Sequence, residues 1–414
     1  MKEKIKFIDL FAGIGGFHQA LKKMGADCVF ASEINKDCQE IYKLNFPDTI
    51  LYGDIYGCID KIPHFDFLCA GFPCQPFSKA GKRKGFKDKN RGTLFFTLMK
   101  ILKQHEECKY ILLENVKNLA DNKDNWETIQ SELEKLDFYV NKEPIILSPH
   151  EFGVPQIRER LFIVGIKKKY ANNIIGRKES IELSDLNLSV KKKYIYGSKD
   201  IDNVLDKSIN SSYIISKKEK DVLSMWYKFK KLTNFERVGA PIWVEYFGFK
   251  MSDKVFNAFR DHNGVLFSEM PEWKQGFVRK NRSFYKKHKK VIDDWIIKYK
   301  VLDMPLVWQK FEWNCDEYED IKNTIIQFRQ SGIRVKRKNY FPTLVAINNT
   351  PIVYDDSVFD FRRITPKEAS RLQSFNNSYK IINYNSFYKQ IGNSVNVKII
   401  YELSKSLLRL DRRN

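Results

Sequence analysis

The sequence predicts an α/β fold with a doubly wound, mostly parallel sheet and a second, smaller domain. Short apolar runs alternate with helical patterns over residues 5–165, and a glycine-rich turn follows the first run directly. After residue 169 the composition shifts towards Lys, Asn, Tyr and Trp, and the alternation stops. Apolar runs separated by helical segments are typical of βαβ units, whose strands bind ligands outside their carboxyl ends.

The individual elements follow from these patterns. We expect strands at 5–10, 28–32, 65–70, 110–114, 145–147 and 160–166. We expect helices at 17–24, 36–44, 93–104 and 126–136. Residues 171–212 are polar and predict loops, whereas 341–348 predict another strand. Thr365 and Pro366 have the residue types of an N-cap and a first helical position, and a last helix is expected over 395–410.

Composition excludes several classes of protein. Hydrophobic residues make up 43% and charged residues 30%, as in folded globular proteins. No apolar run approaches the ~18 residues that span a bilayer, and the first residues lack a signal-peptide pattern. The seven cysteines are scattered without C-x-x-C spacing, which disfavours a disulfide framework or a zinc site. We therefore expect a cytoplasmic protein without a bound metal.

The charge points to a polyanionic partner. The formal net charge is +21, and residues 167–340 hold 37 basic and 22 acidic residues, a local excess of +15. Nucleic acid is the simplest partner for such a surface. A generally lysine-rich proteome is the alternative explanation of the same excess.

The first motif that carries chemistry is the glycine turn after the first strand. Gly13, Gly15 and Gly16 allow close approach of a ligand to the backbone, although an ordinary βα turn has the same residues. Glu33 ends the second strand at the position where a ribose hydroxyl is bound in such folds, and Asp54 follows the next edge. Two carboxylates at successive strand ends favour a cofactor that contains a nucleoside.

Three further motifs stand at strand ends. Cys74 lies between two prolines, so it is either an exposed nucleophile or an inert thiol. Glu114 is a candidate acid if it faces Cys74, and otherwise a solvated loop residue. Arg158 and Arg160 share a face if the strand includes both, which makes them either an active-site pair or charges on an edge strand.

The ordered set of motifs resembles the DNA cytosine-5 methyltransferase family in its bacterial restriction–modification form. The resemblance covers residues 1–166 and 340–405. In chain order the motifs are Phe11-Ala12-Gly13-Ile14-Gly15-Gly16, Pro73-Cys74-Gln75, Glu114-Asn115-Val116, Gln156-Ile157-Arg158-Glu159-Arg160, Arg362-Arg363-Ile364-Thr365-Pro366 and Gln390-Ile391-Gly392-Asn393-Ser394-Val395. This resemblance implies a class I, Rossmann-like catalytic domain over 1–169, a DNA-recognition domain over 170–384, and a C-terminal helix, 385–414, that returns to the catalytic domain.

The resemblance also implies a reaction and its residues. Cys74 adds to C6 of a flipped-out cytosine, Glu114 protonates the base, and Arg160 with Arg158 holds its O2. S-Adenosylmethionine supplies the methyl group for C5. The implied cofactor residues are Phe11, Gly13, Gly15, Glu33, Ile34, Asp54, Ile55, Pro73, Asn393 and Ser394. Among them, Glu33 matches the ribose ligand and Asp54 the adenine ligand.

Duplex DNA is the expected partner of the basic region. We predict DNA contacts by Ser78 and Arg83 in the basic loop after Cys74, and by Arg279, Arg282 and Arg337 in the recognition domain. We further expect a monomer that acts beside a separate restriction endonuclease and binds no membrane. Two alternatives stay open on the sequence alone: an RNA cytosine-5 methyltransferase, and a catalytically silent DNA-binding relative.

Overall fold

The structure is a computed structural model that describes residues 4–73, 92–190, 197–345, 349–382 and 384–412. The chain forms two compact units. The first contains the described residues within 1–196, 342–347 and 366–414, and the second contains those within 197–341 and 348–365. The first unit thus includes 170–190 and 366–382, which the resemblance had placed in the recognition domain. The polar segment after residue 169 packs against the first unit at Ala171 and Ile175.

The first unit is built on a sheet of eight strands. The strands are β1 Lys6–Leu10, β2 Asp27–Ser32, β3 Leu51–Tyr52, β4 Phe67–Gly71, β5 Tyr110–Val116, β6 Phe138–Val140, β7 Ile145–Leu147 and β8 Arg160–Lys167. Their order is β3-β2-β1-β4-β5-β8-β6, with β7 also paired to β8. The pairs from β3 to β5 are parallel, and β8 is antiparallel to β5, β6 and β7. The predicted α/β class with a mostly parallel sheet is confirmed.

The helices of this unit come from both ends of its sequence. They are α1 Gly16–Lys22, α2 Lys36–Asn45, α3 Gly92–Gln104, α4 Lys123–Glu134 and α5 Asn173–Lys178, followed after the second unit by α11 Pro366–Leu372, α12 Tyr384–Asn393 and α13 Val397–Arg409. The central strands are apolar because they are covered on both faces: Phe7, Ile8, Leu68 and Ile111 are fully buried.

The C-terminal segment packs directly on the start of α1. A Cβ placed on Gly16 would lie 2.6 Å from Val395 Cγ2, so only glycine permits this approach. Asn396 caps α13 by accepting the N–H groups of Lys398 and Ile399. The glycine turn and the last motif of the chain therefore form one packed region.

The second unit contains a sheet of six strands. They are β9 Ile242–Trp243, β10 Lys310–Asn314, β11 Thr324–Arg329, β12 Gly332–Arg337, β13 Ile352–Asp355 and β14 Asp360–Arg363, in the order β14-β13-β11-β12-β10-β9. The helices are α6 Ser198–Asp202, α7 Lys217–Leu232, α8 Asp253–Asn257, α9 Glu272–Lys287 and α10 Lys289–Tyr299. Trp226 of α7 stacks on Phe311 with ring centres 4.7 Å apart and also contacts Trp295. Aromatic packing thus forms part of the core of this unit, together with aliphatic side chains.

Two local expectations differ from the structure. The strand predicted over 341–348 is wrong for residues 342–345, because Pro342 has no N–H and the Thr343 hydroxyl and Leu344 carbonyl bond to residues 157 and 158 instead. The loops predicted over 171–212 are interrupted by the short helices α5 and α6. In the described parts of the chain, none of the helices has the length and apolar character needed to cross a bilayer.

Candidate active site

The carboxyl end of β5 carries an acidic side chain opposite the strand that leads to Cys74. Glu114 pairs in register with Gly71, the last residue of β4, and its carboxylate lies over that glycine. A Cβ at Gly71 would be 3.7 Å from Glu114 Oε2. Cys74 itself lies outside the described residues, three positions further along the chain.

Glu114 and Arg160 form a buried ion pair. Arg160 Nε lies 3.2 Å from Glu114 Oε1, and the two side chains are 18% and 10% exposed. Burial raises the pKa of Glu114, and the charges of Arg160 and Arg158 oppose this effect only in part. A carboxyl group that keeps its proton more readily than usual is suited to donate it.

Asn115 fixes the chain just before Cys74. Its buried side-chain amide donates to the carbonyl oxygen of Phe72 at 3.1 Å. Phe72 is itself 3% exposed and packs against Phe95 of α3. β5 therefore holds the chain at Phe72, two residues before Cys74.

Arg158 does not share a face with Arg160. β8 begins at Arg160, so strand alternation does not extend to Arg158. The buried Arg158 guanidinium donates to the carbonyl oxygens of Leu344, Gly392 and Ser394 at 2.8–2.9 Å. The structure thus corrects the expectation that Arg158 reaches the substrate base: it joins three separate segments of the first unit.

The glycine turn and Glu33 form the second part of the site. Phe11, Gly13 and Gly15 all have positive φ angles, of 54°, 55° and 82°. The Gly13 N–H donates to Glu33 Oε2 at 2.8 Å, and the Asn35 N–H donates to Oε1 at 2.8 Å. Burial raises the pKa of Glu33, while these N–H groups favour its charged form. The Ile34 N–H adds to this effect. Since a carboxylate has about four acceptor sites, Glu33 can still accept a hydrogen bond from a ligand hydroxyl.

The other predicted cofactor residues differ in how accessible they are. Ile34 is 70% exposed beside Glu33, an unusual exposure for an apolar side chain. Asp54 is exposed and accepts the Tyr56 N–H, whereas the side chain of Ile55 is buried in the core. Pro73 and Asn393 are exposed, and Ser394 is buried with its hydroxyl donating to Val395 O. Any contact of Ile55 with a ligand would therefore involve its backbone.

The predicted DNA contacts of the second unit fall into two groups. Arg279 is exposed on α9, and the Arg337 side chain is 54% exposed beside Asp316. Arg282 is instead buried: it donates to Phe247 O, Gly248 O and Met251 O and pairs with Asp253. Arg282 therefore cannot reach a phosphate from this position, which corrects that expectation. Ser78 and Arg83 lie outside the described residues.

Comparison with known proteins decides the family. The model of the C-5 cytosine-specific DNA methylase family matches residues 5–409. The chain belongs to this family. It is a DNA cytosine-5 methyltransferase, and its methyl donor is S-adenosylmethionine.

Individual relatives agree with this assignment. The type II methyltransferase M.BanI of Aneurinibacillus aneurinilyticus is 32% identical, over 98% of this chain and 96% of the relative. M.AluI of Cellulosimicrobium cellulans is 29% identical over 99% and 93%. Among solved structures, Spodoptera frugiperda Dnmt2 has a TM-score of 0.56 at 19% identity and covers 98% of this chain and 100% of that one. This last likeness supports the fold alone.

The residues at the glycine turn fit S-adenosylmethionine. The Glu33 carboxylate offers an acceptor for a ribose hydroxyl, and the exposed Ile34 side chain offers an apolar surface for adenine. The space beside Gly13 is open, with no atom within 4 Å of the position a Cβ would take. When bound, the cofactor supplies an electrophilic methyl group.

Two contributors to the site escaped the sequence-based prediction. Asn115 stands beside Glu114 in the same motif, so its position was available as a signal. Tyr379 belongs to no motif, yet its hydroxyl donates to the Ile14 carbonyl within the glycine turn at 2.5 Å. A contact between residues 365 positions apart leaves no local pattern in one sequence.

Proposed function

We propose that Cys74 is the covalent nucleophile, that Glu114 is the acid, and that Arg160 positions Glu114. The observation that carries this proposal is the buried pair of Glu114 and Arg160 above Gly71, at the strand end that leads to Cys74. Asn115 supports it by holding Phe72.

The chemistry follows from the weakness of C5 as a nucleophile. The Cys74 thiolate attacks C6 and forms a C6–S bond, while Glu114 gives its proton to N3, so that C5 gains enamine character. With the cofactor bound, C5 would take its methyl group as the S–CH3 bond breaks and the electron pair stays on the cofactor sulfur, and C5 would then lose its proton to a base. The C6–S bond breaks as the C5–C6 double bond returns, N3 returns its proton to Glu114, and the Cys74 thiolate is restored. Because C6 is stacked in duplex DNA, the target base must leave the helix first.

A trapped adduct tests this assignment. A duplex with 5-fluorocytosine at the target cannot lose its C5 substituent as a proton, so the wild type should remain bound covalently after methyl transfer. Cys74→Ser should form no such complex and should not methylate, but should still bind the duplex. Wild-type turnover in Cys74→Ser would contradict the proposal. Transfer RNA serves as the comparison substrate, and we expect no methylation of it.

We further propose that the second unit recognises a specific duplex site. Its support is the charge of its own residues, which over 197–341 and 348–365 comprise 31 basic and 22 acidic side chains, an excess of +9. The exposed Arg279 and Arg337 add to this support. The relatives named above are type II methyltransferases, so we propose that this enzyme protects DNA beside a separate endonuclease and acts as a cytoplasmic monomer. Bisulfite sequencing of DNA from cells that express it would identify the methylated site. Size-exclusion chromatography with light scattering would test the monomer.

A further inference from the structure

The second unit contains a cavity of about 620 Å³ with a positively charged wall. It lies beside β10 and β12 and the segment that precedes β9. Four cationic and two acidic side chains line it: Lys230, Arg237, Arg334, Arg337, Glu236 and Glu312.

Both acidic residues of the wall are already paired with cations. Glu236 Oε2 lies 2.8 Å from Lys287 and 2.8 Å from His288. Glu312 accepts from Arg329 and Arg334 at 2.8 and 2.7 Å. Arg237 and Arg337 are paired as well, with Glu317 and with Asp316. Among the described residues, Lys230 is the cation of the wall that forms no ion pair with a carboxylate.

Lys230 is the least compensated of these cations. Its side chain is 2% exposed, and its ammonium donates to the backbone carbonyl of Glu236 at 3.1 Å. The ammonium otherwise lies over the rings of Phe235 and Trp313, 5.6 and 6.0 Å from their centres. Burial lowers the pKa of Lys230 to about 8. A buried ammonium without a carboxylate partner destabilises a fold, and a methionine would fill the same space without that penalty.

We infer that this cavity is an anion site for a phosphate group, with Lys230 as its buried cation. A phosphate offers several acceptor oxygens, which suits an ammonium and the planar donors of Arg237 and Arg334. In the complex with duplex DNA the occupant is a backbone phosphate. This last assignment rests on the proposed role of the second unit in DNA recognition.

The first experiment measures binding of inorganic phosphate and pyrophosphate to the full chain by calorimetry, with chloride at matched ionic strength as reference. Lys230→Met should lose at least ten-fold in phosphate affinity. Lys228→Met removes the same charge from an exposed position of the same helix, outside the cavity wall, and should bind phosphate as the wild type does. Ala240→Glu places a carboxylate in the cavity wall and should abolish phosphate binding with Lys230 unchanged. No phosphate binding to the wild type, or equal binding to Lys230→Met, would overturn the site.

The second experiment identifies the source of the phosphate. Single methylphosphonate substitutions are scanned along the methylated duplex, each of which removes one backbone charge. At the position whose phosphate occupies the cavity, the methylphosphonate should lower the duplex affinity of the wild type and of Lys228→Met. The affinity of Lys230→Met, which has already lost this contact, should be the same for the substituted and the unsubstituted duplex. If phosphate binds but no position depends on Lys230, a free phosphate compound is the occupant, and the DNA assignment is wrong.

The two proposals fail in different ways. A protein that methylates no duplex DNA contradicts the proposed function, whatever it does with phosphate. A protein that methylates duplex DNA and shows the same scan in Lys230→Met as in the wild type contradicts only the phosphate site.

Discussion

The side-chain amide of Asn115 donates a hydrogen bond to the carbonyl oxygen of Phe72, across the boundary between β5 and the end of β4. The same strand end presents Glu114 over Gly71. One strand therefore sets the position of the acid and of the peptide two residues before Cys74. The position of Glu114 relative to the Phe72 peptide depends on the pairing of β4 with β5 and on the hydrogen bond from the Asn115 side-chain amide.

Removing the Asn115 donor should impair the chemical step. Asn115→Asp keeps the size but replaces the donor with an acceptor that faces the Phe72 carbonyl, at a cost of about 1–3 kcal/mol. We expect kcat to fall ten-fold or more, because the Phe72 carbonyl before Cys74 loses its hydrogen bond. The affinity for S-adenosylmethionine should stay within two-fold. Single-turnover methylation and cofactor calorimetry measure the two effects. An unchanged kcat would show that the bond does not position the loop.

Arg160 should control the protonation of Glu114. Burial raises the pKa of Glu114, and the guanidinium opposes that rise. If protonated Glu114 is the acid, the rate falls as the pH rises through its pKa, and Arg160→Met should move this limb of the pH profile to higher pH. Arg160→Lys should restore part of the original profile. A limb that does not move in Arg160→Met would mean that another group is titrating.

The sequence allowed this site to be proposed because its parts are local. Glu33, Glu114 and Arg160 each follow or begin an apolar run, and the fold brings strand ends together at one edge of a parallel sheet. Arg158 could not be placed, because its partners Leu344 and Gly392 lie about two hundred residues away and present only backbone atoms. Arg282 was placed wrongly for the same reason. It lies among other basic residues of α9, and the carbonyls that it contacts belong to a different segment, so the sequence does not show that its side chain is buried.

Glu33 should contribute to cofactor binding through its remaining acceptor capacity. Glu33→Ala removes the acceptor for a ribose hydroxyl and should weaken S-adenosylmethionine binding by about 1–3 kcal/mol. It also leaves the Gly13 and Asn35 N–H groups without this partner. Asp48→Ala, an exposed change in the loop after α2, is the matched control. Calorimetry that gives equal affinities for both variants would contradict the placement of the ribose.

His18 should make the first unit acid-sensitive. Its ring is buried between Tyr42, which it contacts at 2.7 Å, and Phe46, on which it stacks. Burial, with the nearby charge of Lys22, lowers the pKa of His18 to about 3. Because the unfolded chain binds this proton near pH 6.5 and the folded chain does not, stability is lost as the pH falls below that value.

The slope of stability with pH tests this relationship. His18 should contribute up to ~1.4 kcal/mol per pH unit between pH 4 and 6. Denaturant unfolding of His18→Phe should show a shallower dependence than the wild type, whatever its absolute stability. Equal slopes in the wild type and His18→Phe would contradict the burial argument.

Arg279 and Arg282 lie three residues apart on α9. Mutation of Arg279 should change DNA binding with little effect on stability, whereas mutation of Arg282 should lower stability. Arg279 is exposed and, within the part of the chain that the structure describes, donates to Gln275 Oε1 and lies over the face of Phe267. Arg279→Gln should therefore leave stability within about 0.5 kcal/mol. If Arg279 contacts a phosphate, the salt dependence of duplex binding should flatten by ~0.9 in slope.

Arg282→Gln breaks a buried set of bonds to three carbonyls and Asp253, and should destabilise the protein by about 3–5 kcal/mol. Where the protein remains folded, the salt slope of Arg282→Gln should match the wild type, because that guanidinium is turned inward. Unfolding curves and filter binding at several salt concentrations separate the two variants, and a flattened slope in Arg282→Gln would show that this arginine reaches DNA after all.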